Sequence, residues 1–200
     1  MDIENVFRIG FWTLLAGVLV MRGFFATQVR RAGERLLPDE AAVQREGRLA
    51  FAIRFLSFFV LIGILIAYAV NPPWIRALSI PLPAWLRWAG LALGLLSLAL
   101  WVWTQQALGA HWSAQLQLRQ DHQLITTGPY THVRHPLYTA MVGWAVGLAL
   151  VTANWIFVGL AALSAAVFFV RVPREEQMML ERFGDDYRSY MQRTGRVLPR

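Results

Sequence analysis

The chain contains neither cysteine nor lysine. Without cysteine there are no disulfides, no thiolate nucleophile and no cysteine-ligated zinc site, and the redox compartment stays undetermined. Without lysine, all nineteen basic residues are arginine, and against twelve acids they give a net charge of +7. A Gly-rich phosphate loop, a Ser-His-Asp set, a carboxylate pair inside an apolar run, an internal repeat and a low-complexity tract are also missing. Arg8, Arg22 and Arg54 stand close enough to the ends of apolar runs to snorkel, so no charged pathway for an ion is visible, which argues against a transporter. The arginines border apolar runs and form no stripe with interleaved aromatics. Their expected partners are therefore anionic membrane lipids, with no nucleic acid.

What is abundant is apolar surface. Of 200 residues 56% are hydrophobic and 13% aromatic, and the mean hydropathy is +0.42. That lies outside the range of an ordinary soluble fold and makes the bilayer the expected solvent. A crossing helix needs roughly 20 mostly apolar residues, and five candidates stand out: Val6 to Phe25, Phe51 to Val70, Ala84 to Trp103, Leu137 to Thr152, and Trp155 to Val170. The first follows MDIEN, which lacks the positive n-region of a secretory signal, and nothing like a small-residue cleavage site closes it, so it is expected to be retained. The last two share one apolar run broken at Thr152-Ala153-Asn154, which predicts a tight helical hairpin with Asn154 at its tip. Gly90/Gly94 and Gly143/Gly147 are small-xxx-small pairs that let helix backbones approach closely. Asn71-Pro72-Pro73 and Pro81-Leu82-Pro83 punctuate one loop, where Trp74, Trp85 and Trp88 suit a headgroup-level belt.

The expected fold class is thus an all-α integral membrane protein, with five transmembrane helices and a C-terminal amphipathic helix, built as one domain over residues 1–200. Arg30, Arg31, Arg35, Arg45 and Arg48 fall between the first two spans, and seven arginines follow Val170, whereas Arg76 and Arg87 are alone between the second and third spans. By the positive-inside rule the N-terminus is outside and the C-terminus cytoplasmic, in a membrane expected to be the inner membrane of a prokaryote. The segment from Thr104 to Pro136 then faces the cytoplasm together with the tail.

Those two polar segments hold the chemistry. Gly128-Pro129 marks a turn, and Pro136 pushes His135 away from helical geometry and occupies a first helical turn. The N–H groups of Leu137, Tyr138 and Thr139 are expected to be uncapped, a place to hold a carboxylate or hydroxyl. After the fifth span, Arg171 and Glu175 stand four apart and share one helical face, with Pro173 expected to begin the helical turn that carries Glu175. Met179, Phe183, Tyr187 and Tyr190 recur at amphipathic spacing. Each feature has a plain alternative: snorkelling for Arg171 and Arg174, a favourable acidic first turn for Glu175 and Glu176, and interfacial anchoring for Tyr130 and Tyr138. No cysteine accompanies His122, His132 and His135, and Pro136 constrains the backbone at His135, so no metal is expected.

The run from His122 to Tyr138, H-x-L-I-T-T-G-P-Y-x-x-V-R-H-P-x-Y, followed by Asn154 and then R-x-x-x-E-E…F-G-x-x-Y-x-x-Y…P, resembles the isoprenylcysteine carboxyl methyltransferase family, a membrane group that also takes in phospholipid methyltransferase-like proteins. The resemblance covers roughly Leu108 to Pro199, the expected cofactor and active-site half (residues 108–199). It implies S-adenosylmethionine as methyl donor, with S-adenosylhomocysteine as product, bound on the cytosolic side between the last hairpin and the C-terminal segment. By the same resemblance Gln115, His122, Gln123, Leu124 and Ile125 would line the cofactor, Tyr130 and the loop His135-Pro136-Leu137-Tyr138 would clamp it, Glu175 would be its acidic contact and Arg171 would orient the substrate carboxylate. The eukaryotic enzymes often have serine where Leu137 stands, and they have additional N-terminal spans.

The reading that follows is a methyltransferase acting on a lipophilic acceptor, small molecule or lipid, that enters sideways from the bilayer, with a carboxylate on an isoprenoid-type compound favoured. N-methylation of a phospholipid amine is the alternative enzyme, and a non-catalytic membrane protein or small carrier is the alternative class. Oligomeric state is not legible.

Overall fold

A computed structural model describes residues 2–31, 48–108 and 124–200, with side chains at 2–28, 56–108 and 124–200. Gln115, His122 and Gln123 lie outside the described residues, as does most of the arginine-rich segment between the first two spans. The described chain runs through α1 (Ile3–Arg31), α2 (Arg48–Val70), α3 (Pro73–Ala77), α4 (Ala84–Leu108), a 3₁₀ turn (Gly128–Thr131), α5 (Pro136–Thr152) and α6 (Trp155–Arg193). A parallel bridge pairs Val133 with Gly195.

Every expected span falls inside a helix. α1, α4 and α6 are long and apolar enough to cross a membrane, while α5 and the 56–70 part of α2 are shorter apolar helices. Leu95, Leu96, Leu163 and Phe169 are exposed. Helices that satisfy their own backbone and turn such side chains outward are built for lipid. The molecule is an all-α membrane protein.

Two compact units emerge, one of residues 20–79 and one of residues 1–19 with 80–200. In the first, Asn71 ends α2 at a φ of 55°, and Pro73 opens α3, where its missing N–H costs no helical bond. The second unit carries the chemistry. Phe7, Phe11, Leu14 and Val18 recur every three or four residues on α1 and are buried, with the Phe11 ring edge-on to Phe157 at 5.3 Å. α4 and α5 meet through the expected glycines: a Cβ on Gly147 would lie 2.8 Å from the Gly90 carbonyl oxygen and 2.8 Å from the Gly94 Cα. Any side chain there would push the two backbones apart.

The α5–α6 hairpin turns as the sequence predicts. Ala153 adopts a left-handed conformation with a φ of 46°, and the Asn154 side chain caps α6 by accepting the Ile156 N–H at 3.0 Å. At this same end of the unit, the buried Arg87 donates to the Val151 carbonyl at 3.1 and 3.0 Å and pairs with Glu4. Its guanidinium lies 4.0 Å over the Phe7 ring. Arg87 is therefore a tie between α1, α4 and α5, where the sequence reads it only as a loop arginine.

The fifth span differs from expectation. Pro173 begins no helix: α6 runs unbroken through it, and its missing N–H leaves the Phe169 carbonyl without its usual bond. Up to Gly184 the polar segment continues the helix that carries the apolar run, and beyond Gly184 a short second helix bears Tyr187 and Tyr190. The chain does bend at Gly184, whose φ of 52° and ψ of −120° break the helical geometry, a conformation open to glycine at little cost.

Candidate active site

At the end of this unit opposite the Arg87 tie, the chain enters α5 through a compact loop. Pro129 is the second residue of the 3₁₀ turn, and the Tyr190 hydroxyl donates to the Tyr130 carbonyl at 2.6 Å. The C-terminal tail then lies alongside the loop. Gly195 N–H donates to the His132 carbonyl at 3.2 Å, Arg134 N–H to the Gly195 carbonyl at 2.9 Å, and His135 N–H to the Arg196 carbonyl at 3.0 Å. His135 is non-helical, with φ −124° and ψ 57°, and Pro136 starts α5 behind it. Of the N–H groups expected to be uncapped, that of Thr139 is already committed to the His135 carbonyl at 3.2 Å, because the first α-helical bond closes there.

α6 brings two adjacent carboxylates to this loop. Glu175 accepts the Tyr138 hydroxyl and, on the same oxygen, the Arg171 Nε–H at 2.9 Å. Its other oxygen lies 3.7 Å from His135 Nδ1. Glu176 accepts Arg134 Nε–H at 2.9 Å and an Arg196 terminal N–H at 2.6 Å, and it stands 3.6 Å from His135 Nε2. The Tyr138 ring stacks between His135, 5.7 Å away at 13°, and Phe168, 4.4 Å away at 21°. The histidine-proline corner and the arginine-glutamate turn, far apart in sequence, thus form one cluster.

The electrostatics follow from burial and pairing. Glu176 lies beyond the apolar run that ends at Val170 and its side chain is 4% exposed. Burial pushes its carboxyl up, but the adjacent His135 imidazole and the hydrogen bonds from Arg196 and Arg134 outweigh that and hold it at about 2. Burial, reinforced by the charges of Tyr190 and Glu175, pushes the Tyr130 phenol well above its ordinary value, so it stays a neutral donor. His135 Nε2 is buried with no hydrogen-bond partner among the described residues.

Two hollows flank the cluster. A cavity of about 690 Å³ opens between α4, α5, α6 and the tail, lined by residues that include Leu96, Leu100, Tyr138, Val142, Phe168 and Arg196. A groove of about 540 Å³ runs along α6 past Val167, Arg171, Arg174, Glu175 and Met178.

Of the residues singled out from the sequence, His135, Tyr138, Arg171 and Glu175 meet directly. Pro136 is buried, Leu137 is half-buried in the first turn of α5, and Tyr130 lies half-buried on the adjoining 3₁₀ turn. Leu124 and Ile125 are half-buried in irregular backbone leading into that turn. Sequence reasoning missed Arg134, Arg196 and the central position of Glu176. The arginine before His135 in V-R-H-P was a usable signal, but nothing in the tail marked Arg196.

Residues 90–181 match the model of the isoprenylcysteine carboxyl methyltransferase family. The nickel-cobalt-cadmium resistance protein NccN of Alcaligenes xylosoxydans xylosoxydans is 32% identical over 58% of this chain and 53% of its own length. The protein-S-isoprenylcysteine O-methyltransferase of Tribolium castaneum is 34% identical over 42% of this chain and 31% of its own. The chain therefore spans about half, or less, of these relatives. The solved structure of a eukaryotic intramembrane Ras methyltransferase, isoprenylcysteine carboxyl methyltransferase, shares the fold, with a TM-score of 0.65 at 22% identity over 100% of this chain and 68% of that one.

Proposed function

We propose that this chain, whose residues 90–181 belong to the isoprenylcysteine carboxyl methyltransferase family, transfers a methyl group from S-adenosylmethionine to the carboxylate of a lipophilic, isoprenoid-type acceptor, forming a methyl ester. The observation that carries this reading is the meeting of His135 and Tyr138 with Glu175 and Glu176 beside an apolar cavity.

The residues fit a sulfonium nucleoside. It presents a cation, a flat aromatic base and several polar groups. The cluster offers the Glu175 carboxylate, a stack of aromatic rings and a buried imidazole nitrogen with no hydrogen-bond partner among the described residues. Glu175, His135, Tyr138 and Tyr130 would hold that group, with Pro136 and Leu137 shaping the wall and Leu124 and Ile125 on the approach. The related assignments of Gln115, His122 and Gln123 extend the same proposal to the neighbouring segment. When bound, S-adenosylmethionine supplies an electrophilic methyl on a positively charged sulfur.

The chain's own contribution is placement and exclusion of water. Methyl transfer to a carboxylate joins a cation and an anion into neutral products, so a site of low dielectric favours the transition state once both charges are bound. Holding the acceptor oxygen in line with the methyl adds a proximity term. No general base is required, because a carboxylate is already ionised at neutral pH. An amine acceptor would need one; of the candidates His135, His132 and Glu176, Glu176 is engaged by two arginines. Arg171 is proposed to orient the acceptor carboxylate, with its Nε bond to Glu175 fixing the guanidinium at the groove.

The same reading extends to topology: five crossings, with the N-terminus outside and the cluster on the cytoplasmic face of a prokaryotic inner membrane. It draws support from the arginine distribution and from the relative in Alcaligenes.

Calorimetric titration of detergent-purified protein with S-adenosylhomocysteine should give saturable heat, weakened by roughly tenfold or more in Glu175→Ala and in His135→Ala. Absence of heat with the unaltered protein would leave a non-catalytic membrane protein or a carrier. In membranes given labelled S-adenosylmethionine, the lipid product should release its label in alkali. Alkali-stable label would move the acceptor from carboxylate to amine.

A further inference from the structure

The groove on α6 changes character along its length. Ala166, Val167 and Val170 line one end, and Arg171, Arg174 and Glu175 line the other. Helical periodicity places Gly159 and Leu163 on the same side of α6 as the groove, and both are exposed. Among the described residues nothing lies within 4 Å of a Cβ added at Gly159, so the apolar end continues as an open trough. From Gly159 to Val170 the helix rises about 17 Å, close to the roughly 15 Å of hydrocarbon in one leaflet.

The two arginines at the polar end differ. Arg171 is engaged by Glu175 at 2.9 Å and already has a task in the proposed reaction. Arg174 is exposed, and among the described residues no hydrogen bond or ion pair engages it. Snorkelling accounts for an arginine at the end of an apolar run, yet it needs no hollow. Here a groove of about 540 Å³ leads up to the guanidinium. Two arginines against one glutamate give its polar end one net positive charge, which a monoanionic headgroup neutralises and a zwitterionic one does not.

We propose that this groove is a binding site for one anionic phospholipid, with the phosphodiester on Arg174 and an acyl chain laid along Val170, Val167 and Leu163. A phosphate takes charge-assisted hydrogen bonds from a guanidinium, and an apolar trough of one leaflet's length suits the chain. The inference goes beyond the methyltransferase reading and stands without it. Joined to that reading, it divides two anions between two arginines: the acceptor's carboxylate belongs to Arg171 and the lipid's phosphate to Arg174. The charge of the surrounding membrane then becomes part of the setting of the active site.

The test offers the full-length protein, purified in detergent, equal amounts of dioleoylphosphatidylglycerol and dioleoylphosphatidylcholine, and counts bound lipid by native mass spectrometry. Phosphatidylglycerol should be retained in preference by about fivefold. Arg174→Gln should bring the two lipids to parity. Arg188→Gln, which alters an exposed arginine paired with Asp185 at 2.7 Å farther along α6, should keep the preference. Val167→Trp, which fills the apolar end, should lower retention of both lipids. A preference that survives Arg174→Gln, or that Arg188→Gln removes as fully, means diffuse attraction to a basic face and overturns the site. Unchanged retention in Val167→Trp overturns it too. Loss of bound phosphatidylglycerol on adding farnesylthioacetic acid also overturns it, and makes the groove the acceptor's own. Heat from S-adenosylhomocysteine is read separately: its absence beside an intact lipid preference removes the methyltransferase reading and leaves this inference standing.

Discussion

Two neighbouring carboxylates illustrate how residues of one type are given different tasks by their surroundings. Glu175 is held by a phenol and an exposed arginine at the lip of the groove, where a ligand can compete for its oxygens. Glu176 is sealed beneath, its oxygens taken by Arg134 and Arg196, and it ties the loop, the helix and the tail together. Its folded carboxyl sits at about 2 against an ordinary 4.5. Stability from this depressed value is fully present above pH 4.5 and is lost as pH falls toward 2. The contribution is roughly 3 kcal/mol. Glu176→Gln, which leaves two arginines facing a neutral amide, should cost a similar amount, about 3 kcal/mol, at pH 7. Thermal unfolding in detergent at pH 7 and at pH 3 should therefore show a large gap between wild type and variant at the higher pH and a much smaller one at the lower. Equal gaps at both values would mean that Glu176 is not ionised in the fold. None of this was visible in the sequence, because Glu176 lies 42 residues from Arg134 and reads locally as one more acid near a helix start.

The helices were far more legible, and the reason is that their signals are local. The spacing of Gly90/Gly94 and Gly143/Gly147 depends only on helical periodicity, and the α4–α5 contact forms where that spacing predicts. Asn154 as a cap and Pro136 as a first-turn residue are likewise short-range choices. Pro173 misled because proline usually opens a helix, whereas here the helix passes through it; in an apolar setting a freed carbonyl is tolerated when neighbouring structure adjusts. The glycine interface gives a direct test. Gly147→Val places atoms against the Gly90 and Gly94 backbones and should cost about 1–3 kcal/mol through overpacking. Gly159, on the spanning part of α6, has nothing within 4 Å of an added Cβ, so Gly159→Ala should be neutral or stabilise by about 0.5–1 kcal/mol through reduced chain entropy. Unfolding midpoints that fall equally in both proteins would show that close α4–α5 approach is not what these glycines supply.

At the scale of the whole molecule, the unit that carries the site has two chemically distinct ends. One holds Glu4, Arg87 and the Asn154 turn; the other holds the His135 loop, Glu175, Glu176 and the tail. α6 explains how both ends are served by one helix: the unbroken stretch from Trp155 to the bend at Gly184, at about 1.5 Å per residue, runs to about 44 Å, roughly one and a half times the hydrocarbon thickness. Its apolar part runs from Trp155 to Val170, and its polar part carries Arg171, Glu175 and Glu176. The arginine asymmetry is the ground for the proposed orientation, and it sharpens because Arg87 is buried within α4 and is not a loop arginine. The absence of cysteine makes this measurable, since any introduced thiol is unique. Asp2 and Ser189 are both exposed and lie at the opposite ends. In intact cells, Asp2→Cys should react with a membrane-impermeant maleimide, and Ser189→Cys should react only after permeabilisation. The reverse pattern would keep the fold and invert its orientation, placing the cluster away from the cytosolic supply of methyl donor. Labelling of both thiols from the same side would contradict an odd number of crossings between them, and with it the proposed five-crossing topology.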